Sequence, residues 1–303
     1  MKFATNDVRL VDMNRPLNEA ALRRLELADR SRVFGLSLPG LLLVGVLLLI
    51  PFSWLVAKSL LDDGGQWSLV NYRTLLGAVY LHSIATTLEV SSMVTLGAAL
   101  IGYPVAYLLC QVPRRIAGIL LVAVVLPYWT STLVRTYAWL VLLQRNGIVN
   151  TFLVSHGIVS SPLHLVNNLV GVVIGMTHVM TPVLIMPLYG AMRSIDPALM
   201  KAAAGCGATP REAFRQVFFP QTLPGLSAGI VMVFVISLGY YVTPALLGGG
   251  NVNVMAMQIQ TTLSTEGDWG LVSATGVVLV LIALAVSMSI HALVRFGRPH
   301  GGR

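Results

Sequence analysis

Long stretches of apolar residues, free of formal charge, dominate this chain. A helix needs about 20 mostly apolar residues to cross roughly 30 Å of hydrocarbon. The charge-free run 33–57 satisfies this requirement, and it is too long for a signal peptide. Applied along the whole chain, the pattern predicts an all-α polytopic membrane protein with six transmembrane helices, at about 33–57, 82–110, 116–143, 168–192, 221–247 and 269–294.

The segments between these helices carry patterns of their own. Residues 146–167 are rich in Asn, Ser, Gly, His and Pro, a composition that predicts an external loop. The glycines of 248–250, followed by Asn251, predict the end of the fifth span. Residues 255–263 are predicted to form a short interfacial helix.

The placement of the basic residues predicts the orientation of the spans. The net charge is +8, from 20 Lys and Arg against 12 Asp and Glu. With six spans, the basic residues fall on one side except for Lys58, Arg73, Arg135 and Arg145. Because Lys and Arg accumulate on the cytoplasmic side of a membrane, both termini are predicted to be cytoplasmic. The positive charge is then a topology signal, and no nucleic-acid partner is predicted.

This topology divides the chain into three regions. A cytoplasmic N-terminal tail covers 1–33, a six-span domain covers 34–296, and a cytoplasmic C-terminal tail covers 297–303. The six-span domain contains a cytoplasmic loop, 193–220, between the fourth and fifth spans. Apolar residues at helical spacing within 14–30 are compatible with a helix lying on anionic lipid and equally with a partly disordered tail.

Composition excludes several classes of protein. Only 11% of the residues are charged, against about 25% in a typical soluble domain. Two cysteines, Cys110 and Cys206, do not form a disulfide framework. No lysine stands in a phosphate-binding Gly-Lys-Ser/Thr loop, and no catalytic or metal-ligand spacing is present. The chain is therefore predicted to be no enzyme and to bind no metal or cofactor, and His178 is predicted to be packed, sharing its N–H with a neighbouring helix.

The loop between the fourth and fifth spans predicts two short helices. Asp196 and Pro197 are typical of a helix start, and Gly205 and Gly207 can end an Ala-rich helix. Thr209 and Glu212 match a capping box that starts the second helix. The apolar stripe of that helix and the prolines marking the start of the fifth span are Phe214, Val217, Phe218, Pro220 and Pro224. The pattern alone fits an interfacial hairpin and a docking element equally well.

The same loop resembles the signature loop of the membrane subunits of bacterial ABC importers. That signature reads Glu-Ala-Ala, three residues, Gly, nine residues and Ile-x-Leu-Pro. The spacing is kept throughout, although the acid, Ile and Leu are replaced by Lys201, Val217 and Phe219. The matching residues assigned to an ATPase-coupling role are Lys201, Ala202, Ala203, Gly207, Thr209, Glu212, Val217 and Pro220.

Two further stretches are similar to the first permease subunit of spermidine/putrescine importers. They are Leu-Pro-Tyr-Trp-Thr-Ser at 126–131, continuing to Arg-Thr-Tyr-Ala-Trp at 135–139, and Tyr-Tyr-Val-Thr-Pro-Ala-Leu-Leu-Gly-Gly at 240–249. This resemblance implies a type I ABC importer transmembrane domain in the bacterial inner membrane. It also implies a second permease subunit, two cytoplasmic ATPases carrying ATP and Mg, and a periplasmic binding protein. The predicted solute is a polyamine, and the alternative is a secondary transporter working without an ATPase.

Polar and aromatic residues inside the spans are candidates for the translocation pathway, because charge in hydrocarbon is costly. Pro127 is predicted to break the third span. An aromatic belt at the membrane interface is the alternative for the aromatic residues and is favoured for Trp139. A structural Glu89–Arg135 pair is the alternative for the two charges. The pathway candidates are Glu89, Tyr128, Trp129, Arg135 and Tyr240.

Overall fold

The computed structural model describes residues 19–62 and 64–296. Almost all of the described backbone is helical, apart from one isolated bridge between Leu61 and Trp67. The chain forms two compact units, one up to Trp54 and one from Leu55 onward. All contacts given below lie within the second unit. Residues 1–18 of the predicted N-terminal tail and the whole predicted C-terminal tail, 297–303, fall outside the described residues. The rest of the predicted N-terminal tail, 19–33, is helical and belongs to the same helix as the first span.

Thirteen α-helices follow one another along the described chain. They are α1 (Glu19–Ser59), α2 (Val70–Leu75), α3 (Ala78–Gln111), α4 (Arg114–Val125), α5 (Thr132–Leu143), α6 (Ile148–Ser155), α7 (Leu169–Arg193), α8 (Pro197–Gly205), α9 (Pro210–Ala213), α10 (Phe219–Leu238), α11 (Val242–Leu247), α12 (Met255–Thr261) and α13 (Trp269–Phe296). A 3₁₀ turn (Leu126–Trp129) follows α4, and π turns follow α9 (Phe214–Phe218) and α12 (Thr262–Glu266).

Five stretches of the described chain are long and apolar enough to cross a membrane. They are Ser37–Ser59, Ala78–Gln111, Leu169–Arg193, Pro210–Leu238 and Trp269–Leu293. A sixth is a bent pair, Arg114–Trp129 with Thr132–Ser155. Counting that pair as one span confirms the prediction of six.

The third span is sharply bent, as Pro127 predicts. The two halves meet at an angle of 94°. Pro127 has no N–H to donate to a preceding carbonyl, and its own carbonyl accepts bonds from the backbone N–H and the hydroxyl of Thr130, at 3.2 and 2.7 Å. The second half runs on through α6, so a helix stands inside the stretch predicted to be an external loop.

The fifth span differs from its prediction at both ends. Its helix begins at Pro210 and runs through Pro220 and Pro224, which were expected to mark its start. The π turn just before α10 opens the backbone where the Pro220 ring would clash with a carbonyl of the preceding turn. The helix then stops at Leu238, and Val242–Leu247, predicted to be the last part of this span, form the separate helix α11. The short helix predicted at 255–263 is present as α12.

The core is formed where α3 and α10 pack along α7. The buried positions of α3 recur every three or four residues, which places them on one face. Glycines bring the backbones together: a Cβ on Gly225 of α10 would collide with Ala191 of α7 and lie 3.0 Å from the Pro187 carbonyl oxygen. Small residues at helix crossings are the usual means of close approach in membrane bundles.

We therefore expect Gly225→Ala to destabilise the bundle by about 1–3 kcal/mol, since the added methyl overpacks the α7–α10 contact. The measurement is the thermal unfolding midpoint in detergent. Gly190→Ala is the matched control, because Gly190 is also helical but a Cβ there meets nothing within 4 Å. Equal midpoints for the two variants would contradict this account of the core.

Candidate functional site

The segment that resembles the ABC importer signature begins with α8. The Asp196 carboxylate caps this helix by accepting a 2.8 Å bond from the Ala198 N–H. Gly207, just beyond the helix end, has φ +86°. Only glycine adopts this left-handed conformation without strain, which explains its place at the turn.

The chain restarts as a helix through the predicted capping box. The Thr209 N–H and hydroxyl both donate to Glu212 Oε2 at 2.8 Å, and the Glu212 N–H donates to Thr209 Oγ1 at 3.4 Å. The prediction of a short second helix is wrong, because α9 continues through the π turn into α10. The second half of the loop is therefore the beginning of the fifth span.

Exposure separates the two halves of this segment. Helix α8 has no buried residue, and Lys201 and Ala202 are exposed with Gly207, Thr209 and Glu212. Ala203, Val217 and Pro220 are half-buried. Helix α8 packs against the π turn and α9. The segment is thus an exposed helix seated on the end of a span, with one face free to contact another molecule.

A second candidate site is a cavity of about 530 Å³ enclosed by α3, the bend between α4 and α5, and α7. Most of its wall is apolar. Its polar and aromatic lining consists of Tyr128, Arg135, Trp139, Thr177, His178 and Thr181. A cavity of this size and composition is typical of small-molecule sites.

Arg135 supplies the charge of this cavity. Its Nη2 donates to Thr132 Oγ1 at 3.3 Å, and its guanidinium carbon lies 5.7 Å from the centre of the Tyr128 ring. Its Nε is buried without a hydrogen-bond partner, and so is Thr177 Oγ1 on the facing helix. Unsatisfied buried polar groups cost free energy, so this cavity is built at the expense of stability.

Trp139 and His178 join the two sides of the cavity. The indole Nε1 of Trp139 donates to His178 Nδ1 at 3.3 Å, and the rings meet edge to face with centroids 5.5 Å apart. The prediction that His178 is packed is wrong, because its side chain is exposed; in the bond to the neighbouring helix α5, its Nδ1 is the acceptor. A neutral ring that accepts at Nδ1 carries its proton at Nε2.

The cavity contains two of the five pathway candidates, Tyr128 and Arg135. Trp129 is 85% exposed and lines a separate groove beside the bend. Tyr240 is half-buried against the core between α10 and α11. Glu89 lies on the exposed face of α3, outside the cavity lining.

Glu89 forms no ion pair with Arg135 in the described structure, so the alternative of a structural pair is wrong. Instead, the guanidinium of Arg135 lies against Thr132 and Tyr128. The exposed face that carries Glu89 continues with Met93 and Leu96. The orientation of α3 explains this separation, because its buried face is occupied by the contact with α7 and α10.

Sequence reasoning missed the contribution of α7 to the cavity. Thr177, His178 and Thr181 lie at i, i+1 and i+4, which places them on one side of an otherwise apolar helix. That spacing was a usable signal. Trp139 was assigned to the membrane interface, whereas its indole lines the cavity.

The fold and these sites define a class of protein, the transmembrane domain of a type I ABC importer. A solved bacterial ABC transporter involved in the import of the acidic polysaccharide alginate has the same fold, with a TM-score of 0.66 at 18% identity, covering 91% of this chain and 100% of that one. The family model for the binding-protein-dependent transport system inner membrane component matches residues 26–297. The chain belongs to this family and is a permease of a binding-protein-dependent ABC importer.

Two individual relatives carry names that specify a solute. The spermidine/putrescine transport system permease protein PotB of Haemophilus influenzae is 34% identical over 245 residues, 78% of this chain and 86% of the relative. The protein of the same name from Escherichia coli is 29% identical over 216 residues, 71% of this chain and 78% of the relative.

We predict that Arg135→Met lowers uptake by about tenfold or more while leaving the thermal unfolding midpoint almost unchanged. Arg135 is half-buried and its Nε has no hydrogen-bond partner, so removal of this charge is expected to cost little stability. A functional site commonly trades stability for activity. Uptake and thermal unfolding are measured on the same preparations. Arg145→Met, which changes an exposed arginine outside the cavity, is the control. Unchanged uptake by Arg135→Met would remove Arg135 from the pathway.

Proposed function

We propose that this chain pairs with a second, different permease subunit, and that two copies of a cytoplasmic ATPase drive the pair. Family membership and the exposed helix α8 at the signature loop carry this proposal. The distribution of Lys and Arg supports a cytoplasmic position for both termini. Helix α8 then faces the cytoplasm, where a soluble ATPase can bind it, and ATP with Mg is held by that partner.

We further propose that the imported solute is a polyamine. The support is the similarity to the two permeases of spermidine/putrescine systems. No carboxylate stands among the residues that line the cavity, and the Arg135 guanidinium repels a polycation. The cavity lining therefore supplies no group that would select a polycation. Selection of the solute is therefore assigned to the periplasmic binding protein.

The test is reconstitution. The chain, its partner permease and the ATPase are purified together and placed in liposomes, with the binding protein added outside. We expect the ATPase to co-purify and labelled putrescine or spermidine to enter only with ATP and binding protein. Uptake by this chain alone, driven by an ion gradient, would instead establish the secondary transporter. ATP-dependent uptake of a different solute would overturn the polyamine assignment only.

A variant at the turn after α8 tests the docking surface. Gly207→Val places a β-branched residue in the left-handed conformation, at a cost of roughly 1–2 kcal/mol, while its Cβ meets nothing within 4 Å. We expect membrane insertion to be kept and ATPase association or coupled uptake to fall. The measurement is pull-down of the ATPase together with uptake.

Gly157→Val is the matched control, because Gly157 also has a positive φ, +68°, and an unobstructed Cβ but lies outside the signature segment. It should behave like the wild type. Normal association and uptake in Gly207→Val would contradict the assignment of this turn to the ATPase contact.

A further inference from the structure

A cluster of aromatic rings joins the signature segment to α3. Tyr107, near the Gln111 end of α3, meets the rings of Phe214 and Phe218 edge to face, with both centroid distances at 5.5 Å. One turn earlier on α3, Tyr103 lies 5.9 Å from Phe219. The Tyr103 hydroxyl is also 3.2 Å from Thr222 Oγ1. We name these five rings, Tyr103, Tyr107, Phe214, Phe218 and Phe219, the aromatic joint.

The π turn shapes this joint. Its hydrogen bonds close over one residue more than those of an α-helix, so residues four apart lie almost directly above one another. Phe214 and Phe218 are stacked at 5.6 Å with an interplanar angle of 26°. Both rings therefore face the single ring of Tyr107. Single π turns inside helices occur frequently at functional sites.

The joint lies between the exposed helix and the core. Helix α8 packs against the π turn, so a force on α8 has a route to Phe214 and Phe218 through this contact. A second route is the covalent link from α8 back to α7. Arg193, at the end of α7, donates from Nη1 to the Cys110 carbonyl at 3.2 Å and holds the same end of α3 to α7.

Helix α3 connects this end to the cavity. Ile101, six residues before Tyr107, lines the cavity. Gly97 approaches Thr177 so closely that a Cβ would lie 2.9 Å from the Thr177 hydroxyl oxygen. Pro104 lies between Tyr107 and Ile101 within the same helix. A displacement of α3 at Tyr107 is expected to reach the cavity wall at Ile101, because the helix continues through both residues.

We propose that Tyr107, held between α3 and the stacked Phe214 and Phe218, is a positioning residue that passes movement of α8 to α3 and the cavity. This inference rests on the proposed function, because the movement of α8 comes from the bound ATPase. Aromatic rings that meet edge to face prefer a particular relative orientation, in addition to filling space. A branched aliphatic side chain fills part of the same volume but does not fix the angle between the elements.

The test uses the reconstituted complex and measures uptake per ATP hydrolysed. In Tyr107→Leu we expect ATPase association and the KM for ATP to stay unchanged, while uptake per ATP falls about tenfold, as the loss of two edge-to-face contacts implies. Tyr107→Phe keeps the ring and should restore the wild-type ratio. Phe152→Leu, which removes an exposed ring on α6, is the matched control and should leave the ratio unchanged.

Tyr107→Leu could instead lower the unfolding midpoint and leave the uptake per ATP hydrolysed unchanged. That result would show that Tyr107 contributes only to stability, and it would overturn the inference. If Tyr107→Leu does not assemble, Phe214→Leu removes the opposing ring, and the same two outcomes decide the question. The wild-type complex is measured first. Failure of the ATPase to co-purify with it refutes the proposed function, whereas coupling that survives loss of either ring refutes only the role of the joint.

Discussion

The close approach of α3 and α10 to α7 is the contact on which the rest of this structure depends. Hydrocarbon surrounds such helices with a medium as apolar as their own side chains, so association depends on close packing. Glycines on both flanking helices supply it. Gly102 of α3 and Gly229 of α10 both face Leu184 of α7, and a Cβ on either would lie within 3.1 Å of it. The three helices are therefore closely packed around α7.

Around these three helices the backbone can depart from helical geometry only where its polar groups are satisfied. At several interruptions a polar side chain provides the bonds. Asn71 donates to the Leu61 carbonyl, Asn150 bonds Leu163 in both directions, and Thr87 accepts the Met255 N–H at 2.8 Å. Thr130 does the same at the bend of the third span. The irregular segments are consequently fixed relative to the core, and the bend can form a cavity wall.

Sequence reasoning predicted the parts of the fold that are fixed locally. Apolar run length gave the spans, and Asp196, Thr209 and Glu212 gave the helix caps, since these effects involve neighbours in the chain. The rotation of each helix about its own axis could not be predicted in this way. Spans that are apolar all round do not show which face is buried, so Glu89 and Arg135 were considered as partners although α3 turns Glu89 outward. The continuation through Pro220 was also missed, because it depends on a π turn.

The aromatic joint and the cavity lie along one helix, and the packing of that helix explains how they can be related. Helix α3 meets the π turn at Tyr107 and the cavity wall at Ile101. Protein interiors are close-packed and respond to force by switching between discrete packings, not by smooth deformation. The unsatisfied Arg135 Nε and Thr177 Oγ1 mark the cavity as a weakly stabilised part of this bundle. A displacement of α3 is therefore expected to change the packing at the cavity first. A change there would alter the access of solute to the cavity, as transport requires.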